Sequence, residues 1–326
     1  MRRPAPESTA TANGDAGPGG RISILQSAVL ADIPQVAHGF STRYGGVSRL
    51  DLSRRGRDAG RGELNLAEVG GDSPENVAAN RSRFLRAWLS PARLEDVISL
   101  RQIHSTVIWR VDRRQRLPDD TAGDGLMTRT PGLWLTVRSA DCVPILLANP
   151  HAPAVAAVHA GWRGTLGRIA EKAVGELRSA WRCRPADLRA AIGPCARACC
   201  YEVGEELLEA FQARFEYAKE LFQPANPDAL RLRYPNLFLT GAPPGHAGNP
   251  RWQAETQLCL DLAEANRRQL LDAGLRPENL EIMPGCTVCD DGQFFSFRRQ
   301  GERAGRMWAI IGIRSKFQSY HQHTGR

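Results

Sequence analysis

The stretch Val155-Ala-Ala-Val-His159-Ala-Gly-Trp-Arg-Gly164, written VAAVHAGWRG, joins an apolar run to a turn bracketed by glycines. Residues 154–158 are apolar without a break, which is typical of a buried strand. In residues 165–181, apolar side chains return at helical spacing. A strand that passes through a short turn into a helix indicates the α/β classes of fold.

Further apolar runs on both sides of this stretch predict a strand-rich chain with several helices. Turn residues separate the predicted strands, which are 36–42, 97–103, 106–111, 133–137, 142–148, 188–192, 280–283, 294–298 and 307–313. One predicted helix begins with Ser73 as its cap and Pro74 in its first turn. The others are 165–181, 204–215 and 257–273, the last of which ends at Gly274. This mixture predicts an α/β or α+β sandwich.

The composition is that of a folded chain without a membrane span. The 326 residues are 42% hydrophobic and 24% charged. No apolar run reaches the about 18 residues that indicate a membrane helix. Residues 1–20 lack the hydrophobic region of a signal peptide and, like residues 316–326, are expected to form a disordered tail. The eight cysteines therefore predict reduced thiols in the cytoplasm rather than a disulfide framework.

The net charge of +8 favours an anionic partner. The arginine clusters are scattered over loop-like segments and do not form a basic stripe with interleaved aromatic residues, as nucleic-acid surfaces usually do. We therefore expect an anionic substrate, and neither a specific nucleic acid nor a membrane as partner.

Three side chains near the ends of predicted central strands form a candidate metal site. They are His104 in RQIHST, Cys142 in SADCVP and His159 in VHAGWRG. Two imidazoles and one thiolate, with an open fourth position, are a ligand set that catalytic zinc sites use. The spacing between them is long, so a buried core thiol with two turn histidines explains the same residues.

The remaining cysteines offer a second, weaker metal signal. Cys286 and Cys289 form a CxxC pair, and Cys195, Cys199 and Cys200 lie in another cysteine-rich segment. Four thiolates can hold a structural zinc ion. One CxxC is a weak indication of metal, and we favour the interpretation that these are buried thiols.

Two arginines and two aspartates complete the candidate site. Arg43 precedes a pair of glycines and Arg163 lies between two glycines, which lets the backbone approach an anion that the guanidinium binds. Solvated arginines in surface turns are the alternative. Asp141 is predicted to orient a ligand histidine or to act as a base, and Asp124 to do so or to cap a turn.

Several collinear segments between residues 38 and 313 together resemble the laccase-domain family, also called the multicopper polyphenol oxidoreductase or purine nucleoside phosphorylase family. They are HGFSTRYGGVS, LNLAEVGGDSPENVAANRSRF, RQIHSTVI, GDGLMTRTPGLWLTVRSADCVPILL, AVAAVHAGWRGTLGRIAEKAV, AAIGPCARACCYEVG and FFSFRRQGERAGRMWAIIGI. Three features depart from the family pattern. Ser105 stands where the family usually has glycine, and loops near 51–62 and 220–255 look like insertions.

The resemblance implies a fold, a site and an activity. The fold is a single-domain, layered α-β-β-α sandwich with mixed sheets over residues 21–315. The metal ligands are His104, Cys142 and His159, in a cytoplasmic enzyme. The associated activities are phosphorolysis of adenosine, inosine, guanosine and methylthioadenosine, and deamination of adenosine.

Histidine content separates zinc from the copper that the family name suggests. The chain has seven histidines, and two of them are His321 and His323 in the C-terminal tail. A trinuclear copper cluster needs many imidazoles, whereas a single blue-copper centre needs two. We therefore favour Zn²⁺ over copper, and a copper-dependent polyphenol oxidase is a minor alternative.

The main functional prediction is a zinc-dependent purine nucleoside phosphorylase with adenosine deaminase activity, acting on purine nucleosides and phosphate. In the main alternative, Cys142 is the nucleophile and His159 the base of an amidase that acts on a cell-wall precursor. A non-catalytic nucleic-acid binder is the least favoured of these interpretations.

Overall fold

The computed structural model describes residues 20–50, 62–69, 71–89, 92–112, 117–118, 120–225 and 258–315. The tails predicted at 1–20 and 316–326, apart from residue 20, lie outside these ranges, as does most of the two predicted insertions. Within the described ranges, no helix combines the length and apolar character needed to cross a membrane.

The strands and helices alternate along the described chain. The strands are β1 (Ile24–Leu25), β2 (Val36–Ser41), β3 (Tyr44–Ser48), β4 (Val97–Ile98), β5 (Ile108–Arg110), β6 (Gly125–Thr128), β7 (Trp134–Ser139), β8 (Val143–Asn149), β9 (Ala154–Ala160), β10 (Arg189–Ile192), β11 (Glu202–Val203), β12 (Phe222–Pro224), β13 (Leu258–Leu260), β14 (Leu280–Ile282) and β15 (Met307–Ile313). The α-helices are α1 (Ala28–Ala31), α2 (Pro74–Trp88), α3 (Trp162–Leu166), α4 (Ile169–Trp181), α5 (Glu205–Gln212), α6 (Leu262–Asp272) and α7 (Phe297–Gln300). Short 3-10 helices are Leu94–Asp96, Pro185–Asp187, Ala218–Leu221, Pro277–Asn279 and Gly301–Arg303.

Two mixed sheets form the middle of the molecule. One has the strand order β1-β2-β15-β7-β4, the other has the order β14-β10-β8-β9-β6-β5, and a small third sheet has the order β11-β13-β12. Each large sheet contains both antiparallel and parallel pairs, such as β8 with β9 and β10 with β14. The strands β7, β8, β9 and β15 are buried almost throughout because both of their faces are covered.

Three apolar layers hold the sheets and helices together. Between the two sheets, alternate side chains such as Val137 and Ile311 meet Leu146 and Ala157. On the outer side of the sheet that contains β8 and β9, the other face of those strands packs against α4 and α6. On the outer side of the first sheet, Trp134 and its neighbours pack against α2. The layers therefore run α-β-β-α, which confirms the predicted single-domain sandwich with mixed sheets.

The predicted start of α2 and the cap at Gly274 are confirmed. Ser73 accepts a hydrogen bond from the Asn76 N–H, and Pro74 is the first helical residue. Gly274 has a φ of +100°, in the left-handed region that glycine adopts without strain.

Other boundaries differ from the sequence prediction, each for a local reason. The predicted helix 165–181 is two helices, because the backbone of Arg168 adopts a φ of +59° between α3 and α4. The predicted helix 257–273 starts with β13, which pairs with β11 and β12. Residues 294–298 are not a strand, because Ser296 caps α7 there. The predicted strands also do not include β6. This strand begins at Gly125, and glycine usually indicates a turn.

A buried histidine in β2 makes the stability of the fold depend on pH. His38 is 1% exposed, and its Nε2 accepts a hydrogen bond of 2.8 Å from the Ser27 N–H. Burial, with a contribution from the charge of Arg314, lowers the pKa of His38 to about 4. The unfolded histidine has a pKa of about 6.5, so the unfolded chain takes up the proton first as the pH falls.

We expect the free energy of unfolding to fall by about 2 kcal/mol from pH 7.5 to pH 5 because of this histidine. Above the unfolded pKa of about 6.5, its stabilising contribution is complete. Urea unfolding at both pH values gives the change in unfolding free energy with pH for the wild type and for His38→Asn. The difference between these two changes is the contribution of His38. The exposed His151, changed to Asn, is the matched control and should show the same change as the wild type. An equal pH dependence in His38→Asn and the wild type would contradict the prediction.

Candidate active site

Adjacent ends of β8 and β9 bring two of the predicted ligands together. In this antiparallel pair, Val143 lies opposite Ala160 and Pro144 opposite His159. Cys142 directly precedes β8, so its side chain meets that of His159 where the start of β8 lies beside the end of β9. His104 reaches the same point from the segment before β5, and its Nε2 is 3.8 Å from the Cys142 Sγ. The three ligand atoms all lie within 4.8 Å of one another.

The Asp124 carboxylate positions both histidines through hydrogen bonds. It is fully buried, and its Oδ1 lies 2.9 Å from the His159 Nδ1. The same carboxylate accepts hydrogen bonds from the backbone N–H groups of His104 and Ser105 at 3.0 Å and 2.6 Å. Through these bonds it holds His104 at a φ of +60°. A carboxylate on Nδ1 leaves the Nε2 of His159 as the nitrogen that faces Cys142, which is the usual arrangement around a ligand histidine.

Ser105 makes two local hydrogen bonds through its hydroxyl. Its hydroxyl donates a hydrogen bond of 2.8 Å to the Asp124 carboxylate and accepts one of 3.1 Å from the Val107 N–H. Glycine has no side chain that could make these contacts. Ser105 therefore adds one more donor to the carboxylate that positions both histidines.

The charges in this group stabilise a thiolate beside an imidazolium. Burial alone would raise the pKa of Cys142, but the charge of His159 and hydrogen bonds from both histidines lower it to about 6. Burial would lower the pKa of His159, yet the Cys142 thiolate and Asp124 raise it to about 9. Burial opposes ionisation of Asp124 as well, while its bonds from His159 and Ser105 lower its pKa to about 2. A deprotonated thiol is the form that binds metal or attacks carbon.

The donor set fits a metal ion that keeps one position open. His159 is buried and Cys142 is partly buried, whereas His104 is exposed to the solvent side. Two imidazoles and one thiolate suit Zn²⁺ with a free fourth position. The trio and a set of four cysteines are the groups of metal-ligating side chains found within the described ranges. Those ranges contain no histidine-rich cluster of the kind that a multicopper oxidase requires.

The trio lines a cavity of about 460 Å³ that is rich in arginine. This volume lies in the range of small-molecule sites. Its cationic side chains are Arg138, Arg163, Arg298 and Arg306. Its aromatic side chains are Trp162, Tyr201 and Phe297. Asp141 is the acidic residue among the lining residues, so the wall carries a clear excess of positive charge.

Two of these arginines, Arg138 and Arg306, are largely buried and close enough to repel each other. The Arg138 Nη2 donates a hydrogen bond of 2.7 Å to the Leu100 carbonyl. Burial, followed by the charges of neighbouring arginines including Arg306, lowers the pKa of Arg138. Burial likewise lowers the pKa of Arg306, although the nearby charges of Asp141 and Cys142 oppose this effect. An anion in the cavity would relieve the repulsion between these cations.

Arg163, the second predicted anion ligand, is exposed and lies in the wall of the cavity. Its guanidinium lies over the Trp162 ring, 4.1 Å from the ring centroid, at the start of α3. Its exposure places it on the solvent side of the cavity wall.

Comparison with known proteins places the chain in a family. The family model for the multi-copper polyphenol oxidoreductase laccase matches residues 37–314. The chain belongs to this family. A purine nucleoside phosphorylase of Deinococcus radiodurans is 35% identical over 280 residues, which cover 85% of this chain and 89% of that protein. The adenosine deaminase RL5 of an unknown prokaryotic organism is 34% identical and covers 83% of this chain and 92% of its own length.

A solved structure supports the same assignment. The crystal structure of YlmD from Geobacillus stearothermophilus matches with a TM-score of 0.69 at 30% identity, over 94% of this chain and 99% of that chain. The resemblance drawn from the sequence motifs is thereby confirmed. Some relatives in this laccase family are named for nucleoside chemistry, in line with the small number of histidines.

The position of Arg43 corrects one sequence prediction. This side chain is fully buried, and its Nε donates a hydrogen bond of 2.8 Å to the Glu63 Oε1. Its Nη1 donates another to the Asp291 carbonyl. Arg43 is not among the residues that line the cavity. It connects loop segments through a buried ion pair, so it does not serve as the predicted phosphate ligand.

Asp141 also has a different role from the one first predicted. Its backbone has a φ of +96°, and both carboxylate oxygens accept short hydrogen bonds. The donors are the Thr287 hydroxyl at 2.6 Å and the Arg298 N–H at 2.6 Å. Orientation of the ligand histidine belongs to Asp124 instead. Asp141 fixes the segments that carry Thr287 and Arg298 next to Cys142, which is a positioning role.

The sequence analysis missed three of the four arginines in the cavity. Arg138 lies four residues before Cys142 in β7, and Arg298 and Arg306 follow the FFSF motif. Each lies inside a segment that carried the family resemblance. Membership of these segments is the sequence signal that could have identified them. They were not named because charge alone does not tell a cavity arginine from a surface arginine.

Gly161 provides a test of how closely the ligands pack. A Cβ at this position would lie 2.7 Å from the His104 Cδ2 and 3.2 Å from the Cys142 Sγ. The backbone φ of −73° accepts alanine without strain. We therefore expect Gly161→Ala to displace the two ligands and to lower kcat/KM about tenfold or more, because small displacements of reacting groups are costly.

Steady-state assays of this variant should be paired with Gly175→Ala. A Cβ at Gly175 in α4 meets nothing within 4 Å, so this control should keep full activity. Unchanged activity in Gly161→Ala would show that the ligand geometry tolerates the added methyl group.

Proposed function

We propose that this protein is a zinc-dependent purine nucleoside phosphorylase that also deaminates adenosine. Its substrates would be adenosine, inosine, guanosine and methylthioadenosine, with phosphate as the second substrate. The observation that carries the proposal is the His-Cys-His group in the wall of a cavity lined by four arginines and three aromatic side chains. The relatives named purine nucleoside phosphorylase and adenosine deaminase support it.

The chemistry of the donor set favours zinc. His104 and His159 supply nitrogen, Cys142 supplies a thiolate, and the bond from Asp124 fixes the ring of His159. Zn²⁺ bound by these residues would supply Lewis acidity and make a water molecule more acidic at neutral pH.

The arginines provide the phosphate site that phosphorolysis needs. In this reaction a phosphate oxygen forms a bond to C1′ of the ribose while the bond from C1′ to N9 of the purine breaks. Arg163 would bind phosphate at the mouth of the cavity, and Arg138 and Arg306 would hold it from the inner wall. Such pre-arranged cations bind the anion and orient it for attack. The purine leaves with the bonding electrons and takes up a proton.

The aromatic side chains provide a site for the base. Trp162, Tyr201 and Phe297 line the cavity, and aromatic rings of this kind can stack against a purine. In deamination, water adds at C6 of adenosine and ammonia leaves, giving inosine. The same stacking surface would hold adenosine for this reaction, whereas phosphate is not needed for it.

Product analysis tests this proposal directly. Pure protein is incubated with inosine and with adenosine, each with and without phosphate, and the products are separated by chromatography. We expect hypoxanthine and ribose 1-phosphate from inosine only when phosphate is present, and inosine from adenosine without phosphate. The absence of free base, ribose 1-phosphate and inosine from all four reactions would refute the proposal.

Arg163→Ala should weaken phosphate binding selectively. Losing one charge-assisted contact predicts a rise of about tenfold or more in the KM for phosphate, with a smaller change in the KM for inosine. Arg178→Ala, an exposed arginine on α4, is the matched control. Phosphate titration of phosphorolysis in both variants provides the measurement, and an unchanged KM for phosphate would remove Arg163 from the site.

The lowered pKa of Cys142 beside His159 is the one observation that suits the alternative thiol hydrolase. The relatives named for nucleoside chemistry do not favour it. Metal analysis with thiol labelling distinguishes the two. Stoichiometric zinc that is lost in His104→Ala supports the nucleoside enzyme, whereas metal-free protein alkylated at Cys142 supports the hydrolase. For either enzyme we expect the cytoplasm, where thiols stay reduced.

A further inference from the structure

Four cysteines outside the candidate active site lie together in a second group. Cys199 and Cys200 come from the segment that follows β10, and Cys286 and Cys289 from the segment that follows β14. Their sulfur atoms all lie within 4.8 Å of one another. The parallel pairing of β10 with β14 brings the two segments side by side, and an isolated bridge between Cys195 and Cys286 extends that pairing.

The sulfur atoms are too far apart for disulfides, and their separations are slightly shorter than those of sulfurs bound to one metal ion. The Cys289 Sγ lies 3.1 Å from the Cys200 Sγ and 3.4 Å from the Cys199 Sγ. Sulfurs in a disulfide are about 2.05 Å apart. Four thiolates at about 2.3 Å from a tetrahedral zinc ion are about 3.8 Å from each other. All eight cysteines are free thiols, so four sulfurs converge without forming a covalent bond.

The surroundings are those of a thiolate centre. The backbone N–H groups of Arg197 and Cys289 donate hydrogen bonds to the Cys286 sulfur. The Arg197 side chain also contacts the Cys195 thiol, and its buried Nη1 has no acceptor within the described ranges. Four thiolates and a divalent cation together carry a net negative charge. A buried guanidinium next to them would offset part of this charge.

We propose that Cys199, Cys200, Cys286 and Cys289 bind a structural Zn²⁺ ion. This site is separate from the His-Cys-His group and does not rest on the proposed enzymatic function. The interpretation of these cysteines as buried thiols does not hold for Cys199, which is exposed, or for Cys289, which is partly exposed, so apolar packing alone does not explain their convergence. Cys195 is not part of the group, since its sulfur is outside the set of ligand atoms that lie within 4.8 Å of one another.

The site would cross-link two segments that shape the cavity. Tyr201, next to Cys200, lines the cavity, and Thr287, next to Cys286, holds Asp141 through its hydroxyl. The Nη1 of Arg299 donates hydrogen bonds to the carbonyls of Thr287 and Val288 at 2.9 Å. A metal ion bound by four thiolates would therefore hold one wall of the cavity in place from behind.

Metal content of the purified protein tests the second site. With both sites occupied, the wild type should contain about two zinc ions per chain, and Cys286→Ser/Cys289→Ser about one. His104→Ala should also retain about one, held by the four thiolates. Cys259→Ser, which removes a buried thiol outside the group, is the matched control and should match the wild type. Wild-type zinc content in the double variant would overturn the proposal.

The same data separate this site from the proposed function. If the His-Cys-His group binds no metal, the wild type and His104→Ala should both contain about one zinc ion, and the double variant should contain none. That result would leave the structural site standing while removing zinc from the enzyme proposal.

Alkylation of the wild-type protein tests the site without any variant. Cys199 is exposed, so iodoacetamide can reach its sulfur when no metal is bound. Zinc coordination should slow its alkylation about tenfold or more, and a chelator should remove the protection. Peptide mass spectrometry separates Cys199 and Cys200 from Cys142. Equal alkylation of Cys199 before and after chelation, or a disulfide among the four cysteines, would overturn the proposal.

Discussion

Cys142→Ala should abolish phosphorolysis and deamination together, with a fall in kcat/KM of about 10³-fold or more, equivalent to about 4 kcal/mol. The substitution removes the thiolate from the His-Cys-His group and leaves two imidazoles that hold metal weakly. It also removes the negative charge that helps raise the pKa of His159 to about 9. Zinc analysis of the variant should show that metal is lost from this site.

The fold should survive this change. Cys142 lies just before the start of β8 and is only partly buried, so the stability cost should be within about 1 kcal/mol. Cys183→Ala is the matched control, because Cys183 is 1% exposed in the core beside α4. It should lose some stability and keep its activity. Full zinc content with activity within about tenfold of the wild type would exclude Cys142 as a metal ligand.

The sequence was most informative where strands end. Cys142 is the first residue of a predicted strand and His159 directly follows another, and they meet because the start of β8 lies beside the end of its antiparallel neighbour β9. The mixture of unbroken apolar runs and helical segments also predicted the sandwich. His104 entered the prediction by its residue type and by the family resemblance. No local pattern in its segment shows that a carboxylate twenty residues later will hold its backbone.

Residues that depend on tertiary packing were harder to predict. Arg43 and Arg163 have similar glycine-rich neighbours, yet one is buried against Glu63 and the other is exposed at the cavity. Arg43 is paired with Glu63, which lies twenty residues away in the chain. The sequence does not show that these two side chains meet. The four-cysteine group has the same origin, since its two halves are brought together by the pairing of β10 with β14.

The role of Asp124 was open in the sequence because a turn aspartate and a buried organiser look alike there. In the structure, five donors converge on its two oxygens. Oδ1 receives the His104 N–H and the His159 Nδ1. Oδ2 receives the N–H groups of residues 103 and 105 and the Ser105 hydroxyl. An aspartate satisfies all of them because both oxygens are acceptors, whereas asparagine has one acceptor oxygen and an NH₂ group that is itself a donor.

Asp124→Asn should therefore destabilise the protein by about 3 kcal/mol and weaken zinc binding about 10-fold to 100-fold. Whichever way the amide turns, its NH₂ group faces donors, so either His159 loses its orientation or the backbone around His104 loosens. Denaturant unfolding measures the first effect and competition with a zinc chelator measures the second.

Ser105→Ala is the matched control, because it removes one donor to the same carboxylate and leaves the charge in place. It should cost about 1.5 kcal/mol and leave zinc affinity nearly unchanged. If Asp124→Asn affects zinc affinity no more than Ser105→Ala does, the carboxylate does not orient the ligands and serves the fold alone. If zinc affinity falls only in Asp124→Asn, the negative charge beside His159 determines the affinity of the metal site, and the extra donor from Ser105 is dispensable for it.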